Sequence, residues 1–297
     1  MSILKRKTRG EVVFITVCYL GMIGFAVITL LPFLNVLAKS MSSEGAVVTG
    51  KVSFWPIGLQ FGTYRYVLDR PEFINSLKVS VLTTVVGTVG GMLLTVTAAY
   101  PLSKPEMVGR KPLLLSFIFV MLFSGGMIPN YMLYRGLGMI NTVWALITPG
   151  MLSIFNMLLI KTFFEQLPES VEESARIDGA SNARTLLSIV VPMSMPAIAT
   201  VALFYAVGFW NNYMSGILYI TKPMLKPLQQ YLFDLVTASM LASDPAVNNV
   251  DITIYMNINP ESVRASTIML ATFPILVVYP LLQKYFVKGI QIGSVKG

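Results

Sequence analysis

Between two apolar runs the chain carries Glu172-Glu173-Ser174-Ala175-Arg176-Ile177-Asp178-Gly179-Ala180, with Ile189 and Pro192 downstream. The chemistry open to this stretch is polar contact. Carboxylates and a guanidinium on a short charged segment make a handle that a partner can grip, although capped loops between membrane helices also serve as plain connections. Catalysis is hard to stage. The chain has no His and a single Cys, Cys18, so a disulfide framework and a Cys/His metal site are both excluded by count. The sequence holds no glycine-rich phosphate loop, no nucleophile elbow and no paired-histidine zinc motif. No catalytic and no metal-ligating residue is expected, and uphill work would draw its energy from elsewhere.

The handle needs elements to hold it. Pro168-Glu169-Ser170 stops a preceding helix, and Ser170 with Glu173 three residues on has the spacing of a capping box, in which each side chain satisfies a backbone N–H. Glu172 and Glu173 then sit in the first turn, at the positive end of the helix dipole. Asp178-Gly179 ends this helix, because glycine takes the left-handed conformation freely. Ser181 caps a second helix from about Asn182 to Val191, which Pro192 breaks. The product is a rigid polar knob.

Composition places the knob on a membrane protein. The 297 residues are 55% hydrophobic and only 12% charged, with mean hydropathy +0.69, well above a soluble domain. A bilayer core takes about 20 apolar residues per helix, and uncharged runs of that order occur at 12–37, 79–102, 112–133, 140–160, 193–219 and 266–283. The first is too long for the apolar part of a cleaved signal and is expected to stay as a helix. The expected fold class is an all-α integral membrane protein with six transmembrane helices, in one domain over 12–290.

Lys5, Arg6, Lys7 and Arg9 precede the first run, Lys104, Arg110 and Lys111 lie between the second and third, and Lys284, Lys288 and Lys296 follow the sixth. By the positive-inside rule both termini (1–11 and 291–297) and the 165–192 loop face the cytoplasm. Segments 38–78 and 220–265 then lie outside, and Pro227 to Phe233 is expected to start a helix on the membrane surface. The net charge of +8 reads as an inner-face signature, not as a nucleic-acid footprint. Gly87 and Gly91, four apart, have the spacing for close helix packing. None of the six runs contains an ionisable Asp, Glu, Lys or Arg, which disfavours a proton-coupled carrier, while ion coupling through backbone carbonyls stays open.

Glu173-Ser174-Ala175, three residues, Gly179, nine residues and Ile189-x-Val191-Pro192 resemble the EAA signature of the membrane subunits of ATP-binding-cassette importers. Ser174 stands for the usual Ala and Val191 for Leu. Phe54-Trp55-Pro56, Ser124 to Pro129, Arg176 to Ser181, Trp210-Asn211-Asn212 and the C-terminal Gln283 to Gly289 look like the carbohydrate-uptake permeases, in the branch that imports complex oligosaccharides.

The resemblance implies a type I importer fold with a cytoplasmic coupling helix in a bacterial cytoplasmic membrane. It also implies partners: a second permease, two ATPase subunits carrying the ATP and Mg that this chain lacks, and an extracytoplasmic solute-binding protein, with no nucleic acid. The ATPase-coupling residues are then Glu172, Glu173, Ser174, Ala175, Asp178, Gly179, Ala180, Ile189 and Pro192. Glu173 would meet a basic group, and Ile189 would anchor the second helix to the body. The tail Gly293, Ser294, Val295, Lys296 and Gly297 would reach between the ATPases. Aromatic and amide groups that hold sugars make Asn156, Tyr205, Trp210, Asn211 and Asn212 the substrate-path candidates. A gradient-driven carrier and a membrane scaffold docking a cytoplasmic partner remain the alternatives.

Overall fold

A computed structural model describes the backbone of residues 8–242 and 259–294, and the side chains within 8–237 and 259–277 apart from Arg9. Every regular element among these residues is helical. The chain divides into two compact units, Met1–Asp69 with Leu235–Thr272, and Arg70–Asp234 with Phe273–Gly297.

The first unit opens on α1 (Arg9–Ser40). The Thr8 hydroxyl accepts from the Glu11 N–H and the Glu11 carboxylate accepts from the Thr8 N–H, a reciprocal cap. The most apolar window of α1 has mean hydropathy 2.4 and none of it is buried within the protein, which suits side chains that face lipid. Two short helices follow, α2 (Glu44–Val48) and α3 (Gly62–Leu68). Ala38, Ala46, Val47 and Val52 form a small core at the end of α1. Beside it, Lys39 pairs with Glu261 at 2.6 Å and the Ser40 and Tyr64 hydroxyls share a hydrogen bond of 2.7 Å.

The second unit contains α4 (Pro71–Ser103), α5 (Arg110–Leu122), α6 (Met127–Gly136), α7 (Trp144–Ile147), α8 (Ile154–Glu165), α9 (Glu169–Ile177), α10 (Asn182–Thr185), α11 (Val191–Met193), α12 (Met195–Trp210) and α13 (Met214–Tyr219). Two more helices, α14 (Leu228–Ala242) and α15 (Pro260–Ser294), have residues in both units. The helix expected from Pro227 is α14, and its first N–H donates to the Ser80 hydroxyl of α4 at 2.7 Å.

α4 carries the second unit, because α8 and α12 both pack along it. Small residues allow this. A Cβ added at Gly87 would lie 2.6 Å from the Phe209 ring, and one at Gly91 would lie 2.9 Å from the Tyr205 ring and 3.1 Å from the Met151 carbonyl oxygen. The expected packing role of the Gly87 and Gly91 pair is what the structure shows. Ala99, Met157, Ile160, Phe164, Ala197 and Val201 fill the core between the three helices.

Three of the expected runs are broken rather than straight. Run 112–133 holds α5 and α6, which meet at 110°; Gly126 at the break has φ 86 and ψ 168, a conformation essentially confined to glycine. Run 140–160 bends by 48° between the segment Trp144–Gly150 and α8. Before run 193–219 the segment Asn182–Met193 turns by 87° into α12. Pro192 does not break the helix as expected. It follows a π-helical turn, Leu186–Val190, in which the Val191 N–H donates to the Leu186 carbonyl, and the bend falls at Ser194 instead. Among the described residues two helices are long and apolar enough to cross a membrane singly, or up to five spans if each bent pair counts as one. The helix α15 covers the sixth run, 266–283.

Because the Gly91 contact includes backbone, Gly91→Leu is expected to overpack the α4–α12 seam and to destabilise the fold by about 1–3 kcal/mol. Thermal unfolding in detergent reads this directly, with Gly10→Leu as control because nothing lies within 4 Å of Gly10. Equal midpoints for the two variants would show that the seam tolerates a larger separation.

Candidate functional site

The charged knob exists and its ends are locally specified. Pro168, with φ −61 and ψ 124, is the N-cap of α9, without a side-chain cap. The expected Ser170–Glu173 capping box does not form, because Pro168 supplies the extended residue and Glu169 is already helical. Ser170 lies inside the helix and its carbonyl accepts from the Ser174 hydroxyl at 2.8 Å. At the other end Gly179 has φ 76. Its N–H donates to the Arg176 carbonyl at 3.0 Å and the Ala180 N–H to the Ala175 carbonyl at 2.9 Å, the paired bonds of a Schellman ending. Ser181 caps α10 as expected, accepting from the Arg184 N–H at 3.4 Å.

The coupling residues divide into two faces. Glu173, Ser174, Asp178, Gly179 and Pro192 are exposed, together with Ile177, an apolar side chain 82% exposed on the outer face of α9. Glu172 and Ala175 are buried. Ala180 and Ile189 are half-buried. Leu186 and Val190, four residues apart and so on one helical face, enter the core and anchor the second helix there.

Glu172 is committed inside the protein. One carboxylate oxygen meets Lys104 Nζ at 2.5 Å and the other accepts from the Tyr100 hydroxyl at 3.3 Å. The Lys104 ammonium also lies 4.9 Å from the centroid of the Tyr100 ring. Nearby, Arg110 and Lys161 both pair with Glu165, and Arg110 Nε donates to the Leu102 carbonyl at 2.8 Å. Lys104, Arg110, Glu165 and Glu172 line a cleft of about 450 Å³ with Glu169, Glu173 and Arg176 in its wall. In the sequence Lys104 and Arg110 read only as inner-face charge.

A second cavity, about 440 Å³, lies between α8 and α12, lined by Ser153, Phe155, Asn156, Phe204, Tyr205, Phe209 and Asn212 with Gly150 and Gly208. Three of the five substrate-path candidates, Asn156, Tyr205 and Asn212, are therefore brought together. Trp210 is buried and lies outside this lining. Asn211 folds back on its own helix, its Nδ2 donating to the Val207 carbonyl at 3.0 Å. The phenylalanines were not singled out by the sequence, where they are indistinguishable from lipid-facing residues. Tyr205 is held firmly: its hydroxyl shares a 2.7 Å hydrogen bond with the Thr95 hydroxyl of α4 and accepts from the Ser153 N–H at 2.9 Å. Among the described residues no ionised side chain lines this cavity. Aromatic faces beside amides and hydroxyls suit a neutral, hydroxyl-rich molecule.

Gly293 and Ser294 end α15, while Val295, Lys296 and Gly297 lie outside the described residues.

Long apolar helices, a capped charged helix and an uncharged aromatic cavity together describe a subunit of a membrane transport system. Residues 92–292 match the family described as the binding-protein-dependent transport system inner membrane component, and the chain belongs to that family. It is 44% identical over 282 residues to the LplC protein of Bacillus subtilis, covering 95% of this chain and 93% of that one. It is 41% identical over 276 residues to YtcP of the same organism, named as a polygalacturonan/rhamnogalacturonan transport system permease, covering 92% and 94%. A solved bacterial ABC transporter involved in the import of the acidic polysaccharide alginate superposes with TM-score 0.86 at 30% identity, over 94% of this chain and 99% of that one. This is a permease subunit with the type I ABC importer fold, and not an enzyme.

Tyr205→Phe leaves the ring in place and removes the hydroxyl from two partners. A loss of about 1–3 kcal/mol is expected, the penalty for buried groups left unpaired, read as a lower unfolding midpoint in detergent. An unchanged midpoint would mean that Thr95 and the Ser153 N–H find other partners.

Proposed function

We propose that this chain pairs with a second, similar permease and two ATPase subunits, and that the complex imports oligosaccharides handed over by an extracytoplasmic solute-binding protein. One observation carries the reading. α9 presents exposed Glu173 and Ile177 and is fixed at its C-terminal end by the Gly179 turn, so it has the form of a knob that a cleft on an ATPase can hold. ATP and Mg would sit on the ATPases, whose closure would move the knob and the helices behind it as rigid bodies. Both termini would face the cytoplasm, as the basic residues before α1 and after α15 favour. Support for an oligosaccharide comes from the relatives' names and from the uncharged aromatic cavity at Tyr205.

Within that cavity Asn156 would hydrogen-bond a sugar hydroxyl, and one neutral hydrogen bond amounts to about 0.5–1.5 kcal/mol. Asn156→Leu is accordingly expected to slow uptake of a neutral galactooligosaccharide about twofold to tenfold without loss of the complex. Equal uptake rates would remove Asn156 from the path.

The reading is tested by co-expression with the neighbouring permease and its ATPase. Purification should yield one copy of each permease with two ATPases. Glu173→Lys and Gly179→Trp should still insert in the membrane but lose the ATPase, since the first reverses the docking charge and the second strains a left-handed turn. A chain that purifies alone and transports in vesicles without an ATPase would overturn it.

A further inference from the structure

Glu172 lies in the docking helix but is 6% exposed, so it is not part of the surface that an ATPase would touch. Both its oxygens are engaged by α4 and the residue that follows α4, through Tyr100 and Lys104. Among the described residues α10 is the helix whose backbone comes closest to α9, and α4 with the residue that follows it reaches α9 through these two side chains. The side-chain contacts thus form a bridge from α9 to α4. A buried carboxylate held by an ammonium and a hydroxyl resists sliding, because any displacement leaves a charge unpaired in a medium that solvates it poorly.

The contact continues from α4 to the cavity. Nine residues before Lys104, within α4, Thr95 is fully buried and bonded to the Tyr205 hydroxyl, and Tyr205 lines the cavity while holding the Ser153 N–H at the start of α8. We infer that the Lys104–Glu172 ion pair is the strut through which movement of α9 is passed to α4 and so to the Tyr205-lined cavity. Lys104 and Glu172 are positioning residues: they touch neither the ATPase nor the transported molecule. The inference rests on the importer reading and specifies which contact makes the docking knob push on the membrane helices.

A test uses the full complex with Cys18→Ser, so that Asn212→Cys becomes the one reporter on this chain, with cysteines in the partner subunits likewise replaced. The rate of maleimide labelling at that position is measured with and without ATP, Mg and orthovanadate. With Lys104 and Glu172 intact, nucleotide should change the labelling rate by about fivefold or more, the scale of ordinary coupling between sites. In Glu172→Gln the ATPases should remain bound while the two rates become equal. The charge exchange Lys104→Glu with Glu172→Lys should restore the difference, which a merely structural role for either residue does not predict. Three results would overturn the strut: a full nucleotide response in Glu172→Gln, loss of the ATPases from that variant, or failure of the exchanged pair to restore the response. If the complex with the pair intact carries no ATPase or shows no response, the importer reading itself fails, so the two failures are told apart.

Discussion

The second unit depends on the close approach of α12 to α4 at Gly87 and Gly91. Phe209 and Tyr205 lie where side chains on those two positions would have to be. In a bilayer, helix association gains little from excluding water and relies on packing and interhelical hydrogen bonds, and this seam has both, because the Tyr205 hydroxyl bonds to Thr95 at the place where the glycines admit the ring. The same tyrosine then fixes Ser153 at the head of α8. One side chain thereby sets the spacing of three helices and forms a wall of the cavity between two of them.

Around this seam the chain bends repeatedly, and at Asn141 and Ser194 backbone N–H groups find partners. A membrane interior offers no water to unpaired N–H and C=O groups. At Asn141, which has φ 60, the side-chain oxygen accepts from the Thr221 N–H, the Thr221 hydroxyl and the Lys222 N–H. At Ser194 the N–H donates to the Val190 and Val191 carbonyls at 3.0 and 3.1 Å. The knob follows the same logic, with a Schellman turn at Gly179 closing its carbonyls. A rigid knob can transmit displacement where a frayed one would absorb it.

Much of the candidate site was legible in the sequence because it is made of local signals. Gly179 after Asp178 and Ser181 before Asn182 act within a turn of themselves, so their roles need no knowledge of the rest of the fold. Other local signals competed. Ser170 and Glu173 have the spacing of a capping box, yet Pro168 imposes an extended backbone two residues earlier and wins the helix start. Pro192 looks like a terminator, yet the chain passes through a π turn before it and stays helical to Met193. Leu186 and Val190, four residues apart on one helical face, fill the core, while Ile189 beside them is half-buried.

The sequence by itself determined the class: apolar runs of membrane length, no ionised residue within them, and a motif between two of them whose letters act locally. Hydropathy and capping depend on residue type and short spacing, so they survive without coordinates. Only the tertiary structure decided which polar residues meet. Glu172 and Lys104 are 68 positions apart and Thr95 and Tyr205 are 110 apart, and neither separation leaves a trace in local pattern. Glu172 and Glu173 are neighbours of one kind in the sequence. Helical rotation of about 100° per residue turns the first inward to an ion pair and leaves the second in solvent, and only the packed neighbours of α9 reveal which is which.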